Sequence, residues 1–204
     1  MTIQTLQRLP SYLQYLRSLP PDETETISSA AIAAALGLHP VKVRKDLAAI
    51  SSGGRPKVGY ITSQLIEELE HALGYDRHDM AVLVGAGRLG RALMAYSELK
   101  ECGLSIAAAF DSNPALWDKR VENIPVLPVS RLTEMCIRLG AHIGVITVPA
   151  PEAQAVCDQL VAGGVRAIWN FSNHPLRVPD EVALQNEDWV SSFTTLSQSL
   201  ANSS

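Results

Sequence analysis

A glycine-rich turn between an apolar run and a helical pattern is the feature that most restricts how this chain folds. Residues 80–84 are apolar, the turn over residues 85–90 reads GAGRLG, and a second apolar run ends at Asp111, 21 residues after the last glycine. Strand, turn, helix, second strand and acid follow one another as in a dinucleotide-binding α/β unit. We therefore predict an α/β fold with a Rossmann-type, doubly wound parallel sheet.

Each part of this pattern has a physical role in holding a dinucleotide. Gly85 permits the tight turn, Gly87 lets the backbone approach a pyrophosphate, and Gly90 lets helix and strand pack closely. The helix N-terminus presents unpaired N–H groups and the positive end of its dipole to the phosphates. Asp111 is placed to bond both ribose hydroxyls and to repel a 2′-phosphate, which favours NAD(H) over NADP(H). The alternative is a glycine turn without a ligand, and the complete pattern argues against it.

Composition excludes several classes of protein. The 204 residues, 47% of them hydrophobic, suffice for one large or two small domains with cores. No apolar run reaches the length of a membrane span, and residues 1–19 lack the order of a signal peptide, so we expect a cytoplasmic protein. Cys102, Cys136 and Cys157 are widely spaced. We expect buried free thiols in a reducing compartment and no metal site.

Charge is unevenly distributed along the chain. Residues 1–60 hold seven Lys or Arg and four Asp or Glu, a net charge of +3, whereas the remaining residues carry −7. Five of the seven cations fall between Lys42 and Lys57. One compact basic patch in a mildly acidic chain indicates a site for a polyanion. A solvated surface is the alternative interpretation.

The first 50 residues have the spacing of a helix-turn-helix. Leucines recur at helical intervals at Leu6, Leu9, Leu13 and Leu16. Further helices are predicted over residues 30–36 and 41–50, with a turn at Gly37 between them. The last of these helices has one apolar stripe, formed by Val43, Leu47 and Ile50. Its other faces carry Lys42, Arg44 and Lys45, as expected of a helix that enters a major groove beside phosphates.

Residues 51–60 follow this helix and contain glycines, a proline and two cations, Arg55 and Lys57. They predict a short β-hairpin, the wing of a winged helix laid along the DNA backbone or minor groove. A flexible basic linker is the alternative. Residues 61–73 then predict an amphipathic helix that closes at Gly74 and joins two domains.

The remainder of the chain completes the α/β pattern. Residues 142–148 and 165–171 predict buried parallel strands, and residues 129–139 and 151–162 predict helices. Cofactor clefts lie at the carboxyl ends of such strands, where Pro149 and Asn170 fall. Residues 185–200 predict a weakly amphipathic helix. Its aromatic side chains are better suited to packing on a partner subunit than to exposure.

Eight segments in this order resemble the Rex family of bacterial redox-sensing transcriptional repressors: RLPSYLQYLRSL, LGLHPVKVRKDL, VGY, VLVGAGRLGRAL, FD, TVPAPEAQ, NF and NEDW. The resemblance extends from Arg8 to Leu200. Its VRKDL segment and its VPA-xx-AQ motif, Val148 to Gln154 with two variable positions, are not required by a generic Rossmann fold. It implies a homodimer with an N-terminal winged helix, a Rossmann domain and a last helix exchanged between subunits. It also implies binding to operator DNA when NAD⁺ prevails and release by NADH.

The resemblance further implies roles for individual residues. The cofactor-binding set is Gly85, Ala86, Gly87, Arg88, Leu89, Gly90, Tyr96, Asp111, Thr147, Val148, Pro149, Asn170 and Phe171. The DNA-binding set is Lys42, Arg44, Lys45, Arg55, Lys57 and Tyr60. Arg17 of one subunit and Asp188 of the other would form a pair in the NADH-sensitive switch. The expected domains are 1–78, winged helix and linker helix; 79–184, Rossmann; and 185–204, exchanged helix and tail.

Three segments depart from the family's usual pattern. Ala48-Ala49-Ile50 replaces an aromatic pair after the RKDL segment. Pro56-Lys57 replaces an Arg-Gly pair before Val-Gly-Tyr, which bears on the wing contact and the operator sequence. Ser172-Asn173-His174-Pro175 replaces Ala-Pro, which bears on how strongly NADH and NAD⁺ are distinguished.

Two other functions compete with a repressor. A small nicotinamide-dependent oxidoreductase needs a proton donor near the nicotinamide. Tyr96 and Lys100 lie on the first Rossmann helix instead, and His174 is best explained as a loop residue. A coenzyme-A- or nucleotide-binding module shares the glycine turn. That function is weakened by Asp111, which is placed to bind a ribose diol, and it assigns no role to residues 1–60. The sequence therefore favours a repressor without catalytic residues.

Overall fold

The computed structural model describes residues 1–20, 24–56 and 58–201. Contacts divide the chain into two units, Met1–Arg77 and His78–Ser204. None of the described helices has the length and apolar character that a membrane span requires. Within the same residues, no cluster of His, Cys, Asp and Glu side chains is arranged to hold a metal ion.

Four helices and a two-stranded antiparallel sheet form the described part of the first unit. These elements are α1 (Ile3–Arg17), β1 (Thr26–Ile27), α2 (Ser29–Ala35), α3 (Pro40–Ala48), β2 (Tyr60–Ile61) and α4 (Thr62–Leu73). Three of the four predicted leucines of α1 are buried, and they pack with Val43, Leu47, Leu65 and Leu69 in one core. The exception is Leu6, which is 39% exposed. The predicted helices are confirmed.

Caps and one left-handed glycine define the turn between α2 and α3. Ser28 Oγ accepts a hydrogen bond from the Ala31 N–H at 3.1 Å, which caps the start of α2. Gly37 ends the helix region with φ of +64°. The ring Nδ1 of His39 caps α3. The short, capped turn confirms the predicted helix-turn-helix, although α3 ends at Ala48 and leaves the predicted Ile50 outside the helix.

The predicted wing is less regular than a hairpin. One antiparallel bridge joins Arg55 to Gly59, with backbone hydrogen bonds of 2.8 and 2.9 Å. The next strand, β2, pairs with β1. Gly59 has φ of +94°, and a Cβ at this position would overlap the carbonyl oxygen of Ile27, so the turn requires glycine. Lys57 lies outside the described residues.

A seven-stranded sheet forms the centre of the second unit. Its strands are β3 (Asp79–Val84), β4 (Leu104–Asp111), β5 (Arg120–Val121), β6 (Ile124–Pro128), β7 (Ile143–Ile146), β8 (Ala167–Asn170) and β9 (Ala183–Asn186). The order is β5-β6-β4-β3-β7-β8-β9, and every pair is parallel except β5 with β6. From β3 the chain adds β4 and β6 on one side and then β7, β8 and β9 on the other, so the order of connection reverses between the parallel neighbours β3 and β7. Ligands of open α/β sheets bind at the carboxyl ends of strands at such a point.

The helices of the second unit are α5 (Arg88–Ala95), α6 (Glu98–Glu101), α7 (Leu132–Leu139), α8 (Ala150–Ala162) and α9 (Trp189–Ala201). Three of them, α5, α7 and α8, pack on the faces of this sheet, whereas α9 has no buried residue. Val82 and Val84 belong to one core with residues of α7 and α8, whereas Leu83 packs on the opposite face with Met94 of α5. Burial of both faces confirms the predicted parallel strands and the doubly wound fold.

The cysteines lie in the second unit as free thiols. Cys136 and Cys157 are buried, and burial raises the pKa of Cys136 to about 11, which keeps it a thiol. The expectation of burial is wrong for Cys102, which is half-buried.

The predicted helix over residues 185–200 starts too early. Residues Ala183–Asn186 form β9, whose backbone pairs with β8 along the register Ala183↔Ala167 to Asn186↔Asn170. The helix α9 begins only at Trp189. Backbone pairing with β8 satisfies the N–H and C=O groups of this segment, and local helical periodicity does not reveal a pairing of this kind.

Candidate functional site

The glycine turn has the geometry that the sequence predicts. Gly85 has φ of +105°, and its Cα lies so close to Thr147 that a Cβ would come within 2.9 Å of it. A Cβ on Gly90 would overlap the carbonyl oxygen of Gly85. A Cβ on Gly87, in contrast, would meet nothing within 4 Å. Two glycines are therefore required by packing, and Gly87 keeps open space at the N-terminus of α5.

Asp111 is fixed against this turn at the end of β4. Its Oδ2 accepts a hydrogen bond from the Ala86 N–H at 2.8 Å, and its Oδ1 accepts one from the Asn113 N–H at 2.8 Å. A carboxylate oxygen has two lone pairs, so each oxygen keeps acceptor capacity after these bonds. Thr147 Oγ1 donates to the backbone oxygens of Val84 and Gly85, which ties the end of β7 to the same turn.

A cleft of about 230 Å³ lies between these elements. It brings together six predicted cofactor residues: Gly85, Gly87, Asp111, Thr147, Val148 and Pro149. It also contains four residues that the sequence did not single out: Ser112, Val129, Glu152 and Val156. Glu152 and Val156 lie on α8 at positions i and i+4, so they share one face of that helix. The signal that could have found them is the helical spacing after Pro149.

Seven predicted cofactor residues do not line this cleft, and three of these lie outside the glycine turn. Asn170 is buried, its amide nitrogen donates to His174 O and Asn186 Oδ1, and its Oδ1 accepts from Ser172. Phe171 packs against Trp169, with ring centroids 4.8 Å apart. Tyr96 follows α5 and is 53% exposed. In this structure Asn170 therefore organises the loop after β8.

The remaining residues of the turn lie at the start of α5. Arg88 and Leu89 occupy its first two positions, in line with the N–H groups at the helix terminus. Arg91, one turn later, donates from Nε to the Ala86 carbonyl oxygen at 3.0 Å. This contact holds the turn in place and was not predicted from the sequence.

The predicted basic surface is present on α3. Lys42, Arg44 and Lys45 are exposed, whereas Val43 and Leu47 are buried. The helix therefore buries one stripe in the core and presents its cations to solvent, as the periodicity predicts. This is the arrangement of a helix that reads a DNA groove.

A groove of about 510 Å³ connects α3 to the wing. It is lined by Ser28, Ser29, Arg44, Gly54, Arg55, Pro56, Gly59 and Tyr60. Tyr60, predicted to face DNA, is only 8% exposed, and its ring lies directly over Gly54. Burial, with a contribution from Glu68, raises the pKa of Tyr60. Most of its ring supports the wing, and the two arginines supply positive charge along the groove.

Asp46 is a residue of α3 that the sequence did not single out. Its carboxylate is 4% exposed and accepts hydrogen bonds from Thr5, Arg8 and Tyr12 of α1. The available signal was its position: Asp46 falls on the buried stripe between Val43 and Leu47. An acid on a core stripe needs partners, and Arg8 precedes it in the same unit.

Arg17 and Asp188, the predicted switch pair, each have a partner in their own unit. Arg17 Nη2 donates to Glu70 Oε1 of α4 at 2.9 Å. Asp188 Oδ1 accepts from the Ser191 N–H at 2.9 Å and its Oδ2 from the Ser191 hydroxyl, so Asp188 caps α9. These hydrogen bonds lower the pKa of Asp188. The predicted pairing across two subunits stays a prediction.

Comparison with known proteins assigns both units. Residues 3–48 match the family model "Putative DNA-binding protein N-terminus", and residues 76–174 match the model "CoA binding domain". The first match covers α1, α2 and α3, and the second covers the glycine turn and the cleft.

Over 182 residues the chain is 43% identical to "Redox-sensing transcriptional repressor Rex" of Porphyromonas gingivalis, covering 89% of this chain and 84% of that protein. The chain belongs to the Rex family. RSP, a Rex-family repressor, matches along the whole chain and over 94% of its own length in complex with β-NAD⁺ and operator DNA, with TM-score 0.93 and 31% identity. RSP in complex with β-NADH matches with TM-score 0.88 and 30% identity, covering 100% of this chain and 95% of RSP.

Membership of the Rex family confirms the predicted resemblance and the predicted fold class, in which a DNA-binding N-terminal domain precedes a Rossmann-like domain. It places the chain among transcriptional repressors and not among enzymes. The similarity to RSP extends along the whole chain and therefore covers both matched regions, which neither an oxidoreductase nor a coenzyme-A-binding module explains.

Proposed function

We propose that this Rex-family chain is a redox-sensing repressor of respiratory and fermentative genes whose products reoxidise NADH. It binds operator DNA when NADH is scarce relative to NAD⁺ and releases the DNA when NADH binds. The observation that carries the proposal is that one chain combines the exposed cationic helix α3 with a cleft lined by the glycine turn and Asp111. Supporting it, RSP has been solved with β-NAD⁺ and operator DNA and with β-NADH.

The cleft has the features that a nicotinamide dinucleotide needs. Open space beside Gly87 and the N–H groups of α5 suit a pyrophosphate. Asp111 has lone pairs left for ribose hydroxyls, and its charge repels a 2′-phosphate. The cofactor supplies two oxidation states that differ in charge at the nicotinamide ring. Thr147, Val148 and Pro149 would hold it from the β7 side, and Tyr96, Asn170 and Phe171 would lie towards the nicotinamide.

On the DNA side, α3 would lie in the major groove with Lys42, Arg44 and Lys45 beside bases and phosphates. Arg55 and Lys57 would contact the backbone or minor groove from the wing, and Tyr60 would support them. Lysine contacts to phosphate add affinity for any duplex, whereas contacts to base edges discriminate among sequences. Since operator DNA and the NADH pool are intracellular, the cytoplasm is the compartment in which this function operates.

A homodimer is the expected assembly, and α9 supplies the reason within this chain. Trp189, Val190 and Phe193 are each more than 60% exposed on α9. Large exposed apolar side chains on one terminal helix indicate a protein interaction site. We assign residues 1–78 to the winged-helix domain and its linker helix. The predicted boundary between the Rossmann domain (79–184) and the exchanged segment (185–204) shifts to the end of β9 at Asn186, because β9 pairs with β8 in the Rossmann sheet.

Coupling between the two sites follows from dimer geometry. Two recognition helices must lie about 34–36 Å apart, one turn of DNA, to read two half-sites. NADH binding that changes this spacing lowers DNA affinity. NADH and NAD⁺ must differ in their contacts, because a ligand shifts an equilibrium only by its differential affinity. Apolar packing around Tyr96 and Phe171 would favour the neutral dihydronicotinamide over the cationic ring.

The test uses the full chain and a duplex from the region upstream of its own gene. The proposal predicts a shifted duplex that NADH releases and that the same concentration of NADPH leaves bound. A duplex of scrambled sequence is the control for charge-driven binding. No preference for the upstream duplex, or equal release by NADH and NADPH, would overturn the proposal.

A further inference from the structure

One carboxylate on α3 points away from the surface where the cations of that helix lie. Asp46 follows Lys45 in the sequence and is 4% exposed. Arg8 Nε donates to its Oδ2 and Arg8 Nη2 to its Oδ1, both at 2.8 Å. Tyr12 Oη donates to Oδ2 at 2.8 Å, and Thr5 Oγ1 to Oδ1 at 2.9 Å. Four hydrogen bonds therefore hold one side chain of α3.

All the donors come from a single helix. Thr5, Arg8 and Tyr12 occupy successive turns of α1, so their side chains lie along one face of that helix. The donors and Asp46 are 34 to 41 residues apart in sequence. Arg8 contacts both carboxylate oxygens, Tyr12 contacts Oδ2 and Thr5 contacts Oδ1. A planar guanidinium that meets a carboxylate at two points fixes its orientation as well as its distance. The network thus defines the direction of α3 relative to α1.

The carboxylate keeps its charge in this position. Burial opposes ionisation, but the hydrogen bonds from Arg8, Tyr12 and Thr5 outweigh it, and the pKa of Asp46 is lowered. Burial and the hydrogen bond to Asp46 raise the pKa of Tyr12 to about 12, so Tyr12 remains a donor at neutral pH. Arg8 balances the negative charge directly. The network therefore adds no net charge next to Lys45.

Apolar packing alone does not define this orientation. Val43 and Leu47 bury α3 in the core, but dispersion and burial are non-directional and tolerate small rotations. A rotation of α3 about its axis moves its exposed side chains relative to the base edges. Contacts between cations and phosphates tolerate such a movement far better than bidentate contacts to bases.

We propose that Asp46 is a positioning residue for operator reading, which holds α3 on α1 at the angle that base contacts require. The inference rests on the proposed function, since it concerns how the same DNA-binding surface discriminates between sequences. Asp46 touches no base in this role. Loss of Asp46 lowers affinity for the operator and leaves affinity for unrelated DNA unchanged.

The experiment measures two duplexes with the full-length chain. The first is the duplex most enriched by the wild-type chain from a randomised pool, and the second is a scrambled duplex of equal length and composition. Asp46→Asn is expected to lose about tenfold or more in affinity for the enriched duplex. Its affinity for the scrambled duplex and for NADH is expected to stay within about twofold of wild type.

Matched variants separate positioning from charge and from stability. Glu67→Gln removes an exposed carboxylate of α4, makes the same change in net charge and is expected to bind both duplexes like wild type. Arg8→Lys is expected to recover part of the operator affinity that Arg8→Ala loses. Tyr12→Phe removes one hydrogen bond and keeps the buried ring. If Asp46→Asn does not fold, a loss of affinity by Tyr12→Phe for the enriched duplex alone supports the positioning role, and wild-type affinity overturns it.

The outcomes are distinct. Wild-type affinity of Asp46→Asn for the enriched duplex overturns the positioning role and leaves the proposed function intact. An equal loss for both duplexes also overturns it, because general destabilisation then explains the result. If the wild-type chain enriches no sequence at all, the proposed repressor function fails and this inference fails with it.

Discussion

Alanine substitutions at two glycines of the same turn are predicted to separate the free energy of unfolding from NADH affinity. Gly87 has φ of −74° and ψ of −161°, a conformation open to alanine, and a Cβ there meets nothing within 4 Å. Gly87→Ala is therefore expected to keep the free energy of unfolding or to raise it by up to about 1 kcal/mol, because alanine restricts the unfolded chain. The added methyl group fills the space that a pyrophosphate needs. We expect NADH affinity to fall at least tenfold, about 1.4 kcal/mol.

Gly90→Ala is the matched control. A Cβ at position 90 overlaps the Gly85 carbonyl oxygen and comes within 3.0 Å of the Leu83 side chain. Overpacking of this kind costs about 1–3 kcal/mol of stability. Urea denaturation measures the free energies of unfolding, and nicotinamide fluorescence measures NADH affinity. Wild-type NADH affinity in a folded Gly87→Ala variant would refute the assignment of this turn to the pyrophosphate.

Four further predictions concern other parts of the account. Asp111→Ala should narrow the preference for NADH over NADPH in fluorescence titrations, and an unchanged ratio would contradict the role of Asp111. Lys45→Ala should weaken operator binding, leave NADH affinity unchanged and reduce the salt slope of DNA binding by about one; wild-type DNA binding would mean that α3 is not the reader. Asp188→Asn keeps an acceptor that caps α9 but removes the charge, so this variant should bind NADH and DNA while NADH releases DNA poorly; identical release curves would exclude the Arg17 pair from the switch. Ionised Asp46 stabilises the fold above its ordinary pKa of 3.8, and this contribution is lost as pH falls through its lowered pKa. Between pH 5 and the acid end of the unfolding curve, wild type should therefore lose more stability than Asp46→Asn, and parallel curves would contradict the ionised network.

The glycine turn and α3 are the elements that local sequence determines most completely. At the turn, Gly85 and Gly90 are fixed by contacts with adjacent strands and helices, so the spacing of the motif already contains the geometry. On α3, the alternation of Val43 and Leu47 with Lys42 and Lys45 predicts which face is buried. The buried face of α3 and the packing of Gly90 on Gly85 and Leu83 depend on residues close together in sequence, which is why spacing was sufficient for them. The contact between Gly85 and Thr147 joins residues far apart in sequence.

Other features depend on partners distant in sequence. Residues 183–186 form a strand because β8 offers an edge to pair with, and nothing in the local pattern distinguishes this segment from the start of a helix. The role of Asp46 depends on Arg8, 38 residues earlier. The same holds for Asn170, whose side chain is engaged by the loop after β8 and by Asn186. Sequence spacing predicted the position of Asn170 at the end of a strand correctly, but it did not predict the hydrogen bonds of its side chain.

The central claim is that the dinucleotide cleft and the DNA-reading surface are coupled within one protein. Linkage requires the coupling to be reciprocal. The most direct measurement is therefore the NADH affinity of the full-length chain with and without a saturating operator duplex, compared with operator affinity with and without saturating NADH. The account predicts that operator DNA weakens NADH binding by the same factor by which NADH weakens operator binding. An NADH affinity that is unchanged by operator DNA would contradict it.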